Sequence, residues 1–170
     1  MAARLVDDPG QVQALRQRLQ QCVVVSPWEA ATLFARLART LDQDLPDVCA
    51  FVVDDTGFPK KGVHSVGVAR QYCGVLGKQD NCQVAVTVSA VNATLSVPSA
   101  YRLYLPEAWA SDRRRRRAAG VPVSVRFQRK WVLALEALRA LFAEELPRAP
   151  VVADAGYGST TAFREGLTAL

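Results

Sequence analysis

The sequence predicts an α/β domain built on a mixed sheet, in the order three-strand meander, crossover helix and parallel strand. Three observations predict this class. Apolar residues between Val48 and Val91 favour strands over helices. A strongly periodic helix follows, from about Arg129 to Glu145. The apolar run Pro150 to Ala153 comes next, and a right-handed crossover places it parallel to the first strand, in the middle of the sheet.

Two helices are predicted ahead of the sheet. From Pro9 to Leu19, apolar residues recur at steps of three and four, as in an amphipathic helix. Ser26-Pro27 supplies an N-cap and a proline at the first helical position, which opens a second helix from about Trp28 to Leu41. We therefore expect a helical N-terminal lead-in over residues 1–46 and a sheet-bearing domain over residues 47–170.

The predicted meander has three strands, with a fourth after them: Val48–Asp54, Ser65–Cys73, Cys82–Val91 and Val97–Leu105. Turn residues separate the first three strands, at Pro59 to Gly62 and at Gly77 to Asn81, and they favour two antiparallel hairpin-like connections. A polar stretch, Pro106 to Pro122, follows the fourth strand. Near the end of the chain, Ser159 or Thr160 is expected to cap a last helix that runs to Leu170.

Composition restricts the class of protein. Half of the 170 residues are hydrophobic and 22% are charged, which excludes a disordered chain. The four cysteines form no C-x-x-C pair and His64 is the single histidine, so a structural zinc site is not expected. There is no apolar stretch of signal-peptide or membrane-spanning length, which favours a cytosolic protein with reduced thiols and no membrane partner.

Acidic residues follow two predicted strands in the same way. Phe51-Val52-Val53 leads into Asp54 and Asp55 and then Gly57, and Val151-Val152-Ala153 leads into Asp154 and then Gly156. If these strands are parallel neighbours, the acids meet at the edge where open α/β sheets place their sites. Paired carboxylates repel each other unless a cation lies between them, and their hard oxygens suit Mg²⁺ or Mn²⁺.

Other interpretations of this pattern exist. Aspartate is common at turns, so one such motif alone would indicate only a turn. Two matching motifs on neighbouring strands favour a metal site, and spacing alone leaves a metal-dependent phosphatase or nuclease of unrelated lineage open.

Longer stretches of the chain resemble a known family. DDTGFPKKGVHSVGVARQYCGVLGKQDNCQV, from Asp54 to Val84, is joined by YRLYLPEAWASD from Tyr101 and ADAGYG from Ala153. Together they resemble the transposases of the bacterial insertion sequence 701 group, in the DDE superfamily with a ribonuclease H-like fold. The resemblance implies that Asp55 and Asp154 are the first two acids of a catalytic triad and bind two Mg²⁺ (or Mn²⁺) ions. Asp54 is the alternative to Asp55.

The third acid of the triad, a glutamate on a later helix in this superfamily, is not expected within residues 1–170. Glu136 and Glu165 are weak substitutes, because Glu136 is expected to face solvent. We therefore expect the ribonuclease H-like domain to be incomplete at its C-terminus and this chain alone not to cut DNA. A catalytically dead transposase remnant that binds DNA or an intact transposase is the alternative function.

Basic residues supply the predicted contacts to double-stranded DNA, both transposon ends and target. The net charge of +5 is concentrated in one run of five arginines. The predicted phosphate contacts are Lys60, Lys61, Arg113, Arg114, Arg115, Arg116 and Arg117. Exposed turns and solvated charges are the competing interpretation of both segments. The resemblance also implies a bacterial protein of the cytoplasm, associated with the nucleoid, with a homodimer on DNA as a further expectation.

Overall fold

A computed structural model describes residues 8–27, 29–45, 47–144 and 146–170. The chain divides into two compact units, Met1–Leu33 and Phe34–Leu170. This division falls inside the second helix, so the boundary after residue 46 stays a prediction of the sequence. Trp28, Glu145 and Pro46, which bound predicted elements, lie outside the described residues.

The helices of the lead-in form where they were predicted and extend further. A single 3₁₀ turn, Pro9–Gln11, is capped by the Asp8 side chain, which accepts a hydrogen bond from the Gly10 N–H. Helix α1 is Val12–Val25 and ends six residues after the predicted Leu19, and α2 is Ala30–Asp44. No α1 side chain is buried within its unit, so the apolar face of this helix does not pack into a core there.

The second unit is built on a five-stranded mixed sheet, which fits a ribonuclease H-like fold. Its strands are β1 (Ala50–Pro59), β2 (Ala69–Cys73), β3 (Lys78–Val91), β4 (Ser96–Leu103) and β5 (Val151–Ala153). Its further helices are α3 (Glu107–Ser111), α4 (Arg113–Ala118), α5 (Lys130–Phe142), α6 (Ala155–Gly158) and α7 (Thr161–Thr168). The sheet order is β2-β3-β1-β5, with β4 also paired to β3.

The predicted hairpin between the first two strands is wrong. β1 pairs antiparallel with β3 along its whole length, and β2 is a five-residue strand on the other side of β3. The Asn81 side chain donates hydrogen bonds to the carbonyls of Lys60 and Gly62, at 2.7 and 2.8 Å. These bonds tie the turn after β1 to the start of β3, so residues 60–68 do not form a tight hairpin. The meander is therefore β1, β3 and β4.

The strand after the crossover helix is parallel to β1, as predicted, but among the described residues it lies at the edge of the sheet and not in its middle. β5 pairs in parallel with β1 through Phe51↔Val151, Val52↔Val152 and Val53↔Ala153. α5 packs on the sheet and buries Leu133, Leu135, Leu138 and Leu141 in the main core. Burying such side chains contributes roughly 1.5–3 kcal/mol each, so α5 is a principal source of stability.

The last helix approaches α5 closely because it carries a glycine. A Cβ added at Gly166 of α7 would lie 2.4 Å from Leu135 Cδ1, nearer than two carbon atoms can pack. α7 begins after Thr160, one of the two predicted caps, and Phe163 of this helix is 1% exposed in the main core. The small side chain therefore permits the contact that fixes α7, and with it α6, beside the sheet.

A second, smaller core lies at the start of the predicted polar stretch, Pro106 to Pro122. It consists of Val68, Leu105 and Trp109, with Trp109 only 1% exposed. The Trp109 Nε1–H donates a 2.8 Å hydrogen bond to the Val68 carbonyl. This core fixes α3 and α4 next to residues 60–68. Among the described residues, no helix is long and apolar enough to cross a membrane.

Candidate metal and nucleic-acid site

Asp55 lies inside β1 and points to the helix-covered face of the sheet. Side chains alternate along a strand, so Asp55 follows the buried Phe51 and Val53 on the side covered by α5. Its strand was predicted to end at Asp54, but the antiparallel pairing with β3 continues to Pro59. What ends here is the parallel pairing with β5, and this leaves one edge of β1 open beside the acid.

Both carboxylate oxygens of Asp55 have partners. Oδ2 accepts a 2.5 Å hydrogen bond from the Lys130 ammonium, and Oδ1 accepts a 2.6 Å hydrogen bond from the Tyr157 hydroxyl. The Asp55 and Lys130 side chains are 33% and 34% exposed, so solvent screens the ion pair and it contributes little net stability. The two contacts instead fix the orientation of the carboxylate.

Asp54 and Asp154 stand one residue beyond the last parallel pair, Val53↔Ala153. Asp54 is exposed, on the face of the sheet opposite to Asp55, and its Oδ1 accepts the Asp55 N–H at 2.7 Å. Asp154 is also exposed and caps α6, because its Oδ1 accepts the Tyr157 N–H at 3.2 Å. The register thus brings the two strand ends together at one edge of the sheet, as predicted.

Tyr157 donates a hydrogen bond to Asp55 and interacts electrostatically with all three aspartates. Its ring is buried against Phe163, with ring centroids 5.6 Å apart. Burial raises the pKa of the Tyr157 phenol well above its usual range, and so do its hydrogen bond to Asp55 and the charges of all three aspartates. Tyr157 therefore belongs to the main core, and its hydroxyl binds Asp55, a contact that the sequence analysis did not predict.

The high pKa of Tyr157 leads to a titration prediction. Folding raises this pKa above the unfolded value of about 10, so the stability it contributes is present below about pH 10 and is lost as the pH rises further. At about pH 11 the folded parent and a Tyr157→Phe variant should show equal phenolate absorbance, because Tyr157 is still protonated. In denaturant the parent should show one phenolate more. Equal absorbance in denaturant, or unequal absorbance when folded, would contradict this.

The same substitution tests the hydrogen bond to Asp55. Tyr157→Phe should lower the free energy of unfolding by about 1–2 kcal/mol at neutral pH, measured by urea denaturation, because a bond to a charged group is lost. Tyr72, which is 63% exposed, offers the matched control, and Tyr72→Phe should leave the stability nearly unchanged.

Lys130 is the residue at this site that sequence reasoning missed. It is the first residue of α5, and its Nζ also lies 5.3 Å from the centroid of the Tyr104 ring. In a right-handed crossover the helix begins at the edge of the sheet where the preceding strand ends, so a residue opening α5 reaches the aspartates. A lysine is unfavourable at a helix N-terminus, and its contact with Asp55 offsets that cost.

The donor set consists of three carboxylates at one sheet edge, which suits a hard divalent cation. Over the described ranges, however, no three metal-ligating side chains converge on one point. Glu136 accepts a 2.5 Å hydrogen bond from Gln128, and Glu165 is exposed on α7. Neither glutamate joins the aspartates in such a group.

The arginine run forms α4, and its members do different things. The Arg115 guanidinium lies 3.8 Å from the Trp109 ring centroid and donates to the carbonyls of Val63 and Val68, at 2.6 and 3.3 Å. Arg116 donates to three further carbonyls, those of Ala110, Pro122 and Val125. These two arginines therefore hold loops in place, a role that the charge pattern alone did not reveal.

The other basic residues predicted to contact DNA are exposed. They are Lys60, Lys61, Arg113, Arg114 and Arg117. In the part of the chain that the structure describes, none of their side chains makes an ion pair.

Comparison with known proteins gives two matches. The family model described as DDE superfamily endonuclease matches residues 1–170. A protein of Microchaete diplosiphon, named "Probable transposase for insertion sequence element IS701", is 37% identical over 92 residues. The aligned segment covers 54% of this chain and 24% of that protein, so the chain matches about a quarter of the relative's length. No solved structure matches the chain significantly.

Proposed function

Because this chain belongs to the DDE superfamily of endonucleases, we propose that it acts in DNA strand cleavage and transfer as part of an insertion-sequence transposase. The observation that carries this proposal is the meeting of Asp54, Asp55 and Asp154 at one edge of neighbouring parallel strands. The similarity to a protein named as a transposase supports it. The DNA substrate includes transposon ends and target, and the sequence expectations of a homodimer on DNA and of a place at the bacterial nucleoid belong to the same proposal.

Nucleases of this family generally use divalent metal ions. We assign Asp55 and Asp154 as the ligands that this chain supplies, with Mg²⁺ or Mn²⁺ as the ion, because their oxygens are hard donors on adjacent chain segments. Such ions, when bound, polarise the scissile phosphodiester and activate the attacking hydroxyl. The chain's own contribution is to hold the carboxylates: Tyr157 fixes Oδ1 of Asp55, and Lys130 balances its charge on Oδ2.

Asp54 is a second candidate for the first ligand. Its register position is level with Asp154, and it is exposed, whereas both Asp55 oxygens already have partners. A cation that binds Asp55 must share Oδ2 with the Lys130 ammonium or displace it. Removing the Lys130 ammonium therefore tests whether Asp55 or Asp54 binds the cation.

The proposal predicts metal binding through the aspartates. Asp154→Asn should weaken Mn²⁺ binding by at least about tenfold, which corresponds to about 1.4 kcal/mol, because a charged ligand is replaced by a neutral one. Loss of the free Mn²⁺ paramagnetic resonance signal on titration with protein measures the affinity. Asp112→Asn removes the same charge from the N-cap of α4 and should leave Mn²⁺ binding unchanged. Equal Mn²⁺ affinity in the parent and Asp154→Asn would refute the assignment.

A catalytically inactive chain that binds DNA or an intact transposase is the alternative function. It is favoured because, over the described ranges, no three metal-ligating side chains are grouped so that they could hold an ion. With either function we expect this chain alone not to nick supercoiled plasmid in Mg²⁺ or Mn²⁺, in the same samples used for metal binding. Robust nicking that Asp55→Asn abolishes would show that the chain is catalytically sufficient and exclude the inactive alternative.

A further inference from the structure

A cavity lies between α4 and the segment that follows it. Its volume is about 740 Å³, and its charged lining consists of Arg113, Arg116, Arg117 and Arg126. Its remaining lining includes Gly120, Val121, Pro122 and Val123, and no acidic residue. We name this cavity with its four arginines the arginine cleft.

Arg116 gives the cleft a fixed wall. Its guanidinium spans from the Ala110 carbonyl of α3 to the carbonyls of Pro122 and Val125 on the opposite side, at 3.1, 2.8 and 2.7 Å. These bonds hold the segment 122–125 against α4 before any ligand arrives. A preformed wall reduces the ordering cost of binding.

Three arginines of the cleft carry uncompensated charge. Arg113 and Arg117 are four residues apart on α4, so they share one face of the helix, and Arg126 lies on the opposite segment. All three are exposed, and within the described ranges none has an ion-pair or hydrogen-bond partner for its side chain. Like charges gathered without a counter-ion repel each other, and a polyanion in the cleft would relieve that repulsion.

The arginine cleft is close in sequence to Lys130, the residue that contacts Asp55. Arg126 is four residues before Lys130, which contacts Asp55, so the two Cα atoms are at most about 14 Å apart. Phe127, between them, stacks edge-on against Tyr104 with centroids 6.3 Å apart, and the Lys130 ammonium lies over the same ring. At about 3.4 Å per base pair, this distance corresponds to about four base pairs of duplex.

We propose that the arginine cleft binds the DNA phosphates that lie a few base pairs from the site of cleavage, through Arg113, Arg117 and Arg126. Arg116 holds the wall and Arg115 anchors the helix, so neither is a principal phosphate contact. The inference rests on the proposed function, since it takes DNA as the substrate. It adds Arg126 to the predicted DNA contacts and separates the five arginines of the run by role.

The test is DNA binding without metal. Fluorescence anisotropy of a labelled duplex of arbitrary sequence is measured in EDTA over a series of salt concentrations. The cleft variant carries Arg113→Ala, Arg117→Ala and Arg126→Ala. The control variant carries Arg36→Ala, Arg70→Ala and Arg139→Ala, which remove the same charge at exposed arginines that do not line the cleft.

We expect the slope of log affinity against log salt to fall by about 2–3 in the cleft variant, because each lost phosphate contact removes about 0.9. The control variant should lose less than one such contact, and replacing the three cleft arginines with lysine should largely restore the slope. The three arginines have no described partners, so thermal unfolding should match the parent. If the cleft triple variant unfolds, each single variant should still lose about 0.9 of the slope.

Equal losses in the cleft and control variants would overturn the cleft as a DNA site while leaving the proposed function intact. A parent chain that binds no DNA in EDTA would overturn the cleft proposal and count against a DNA substrate. Loss of Mn²⁺ binding in Asp154→Asn with an unchanged salt slope would show that the two sites are separate and would support the assignment.

Discussion

Replacing Lys130 with methionine is expected to tighten Mn²⁺ binding by about tenfold or more, because an ammonium 2.5 Å from Asp55 Oδ2 no longer competes for that oxygen. Methionine keeps an unbranched apolar side chain of similar length, so packing beside Tyr104 should be retained. The affinity is measured by the free Mn²⁺ signal at neutral pH. The gain should disappear when Asp55→Asn is combined with Lys130→Met.

The neighbouring residue provides the control for net charge. Arg129 is exposed and does not contact Asp55, so Arg129→Met removes one positive charge from the same helix end without freeing the carboxylate. It should tighten Mn²⁺ binding much less than Lys130→Met does. Equal gains in Mn²⁺ affinity would mean that both substitutions act only through the overall electrostatic potential at the site.

The experiment also distinguishes Asp54 from Asp55. If Lys130→Met leaves the affinity unchanged while Asp54→Asn abolishes binding, the cation is held by Asp54 and Asp154. The exposed pair would then be the ligand set, and Asp55 with Lys130 and Tyr157 would be a structural triad beneath it. This outcome would overturn the assignment of Asp55.

The sequence predicted the sheet well where burial decides the structure. β3 alternates buried and partly buried residues over most of its length, and α5 carries a continuous apolar face, so both were expected from periodicity. The parallel placement of β5 followed from the crossover. The hairpin failed because residues 60–68 are held by the Asn81 side chain and by Trp109, contacts that no local pattern encodes.

The sequence predicted which strand ends form the candidate site, but not the side chains that contact the aspartates. The motif at each strand brought Asp54, Asp55 and Asp154 together, as the sheet register bears out. Lys130 is 75 residues from Asp55 and Tyr157 is 102 residues away, so their contacts depend on the completed topology. In the sequence, the five arginines form one charged segment. Only the structure shows that Arg115 and Arg116 differ from the others, because their guanidinium groups donate to loop carbonyls.

Replacing Trp109 with alanine is expected to lower the free energy of unfolding by about 3–5 kcal/mol, the usual cost of removing a buried aromatic side chain. The ring fills the second core, its Nε1–H binds the Val68 carbonyl, and its face supports the Arg115 guanidinium. Urea denaturation of the parent and the variant measures the loss. A decrease below about 1 kcal/mol would contradict a structural role for this core.

Trp109→Phe separates the packing of Trp109 from its hydrogen bond. It keeps an aromatic face for Arg115 and loses the bond to Val68, so the expected loss is about 1–2 kcal/mol from the bond, plus the smaller ring. Trp109 should also affect DNA binding, because its ring supports Arg115, which binds the carbonyls of Val63 and Val68. Trp109→Ala should therefore loosen the attachment of α4 and lower the salt dependence of DNA binding.

Trp109→Phe should retain the parent's salt dependence of DNA binding. A Trp109→Ala variant that is destabilised and yet keeps the parent's salt slope would show that the arginines bind DNA without a fixed α4.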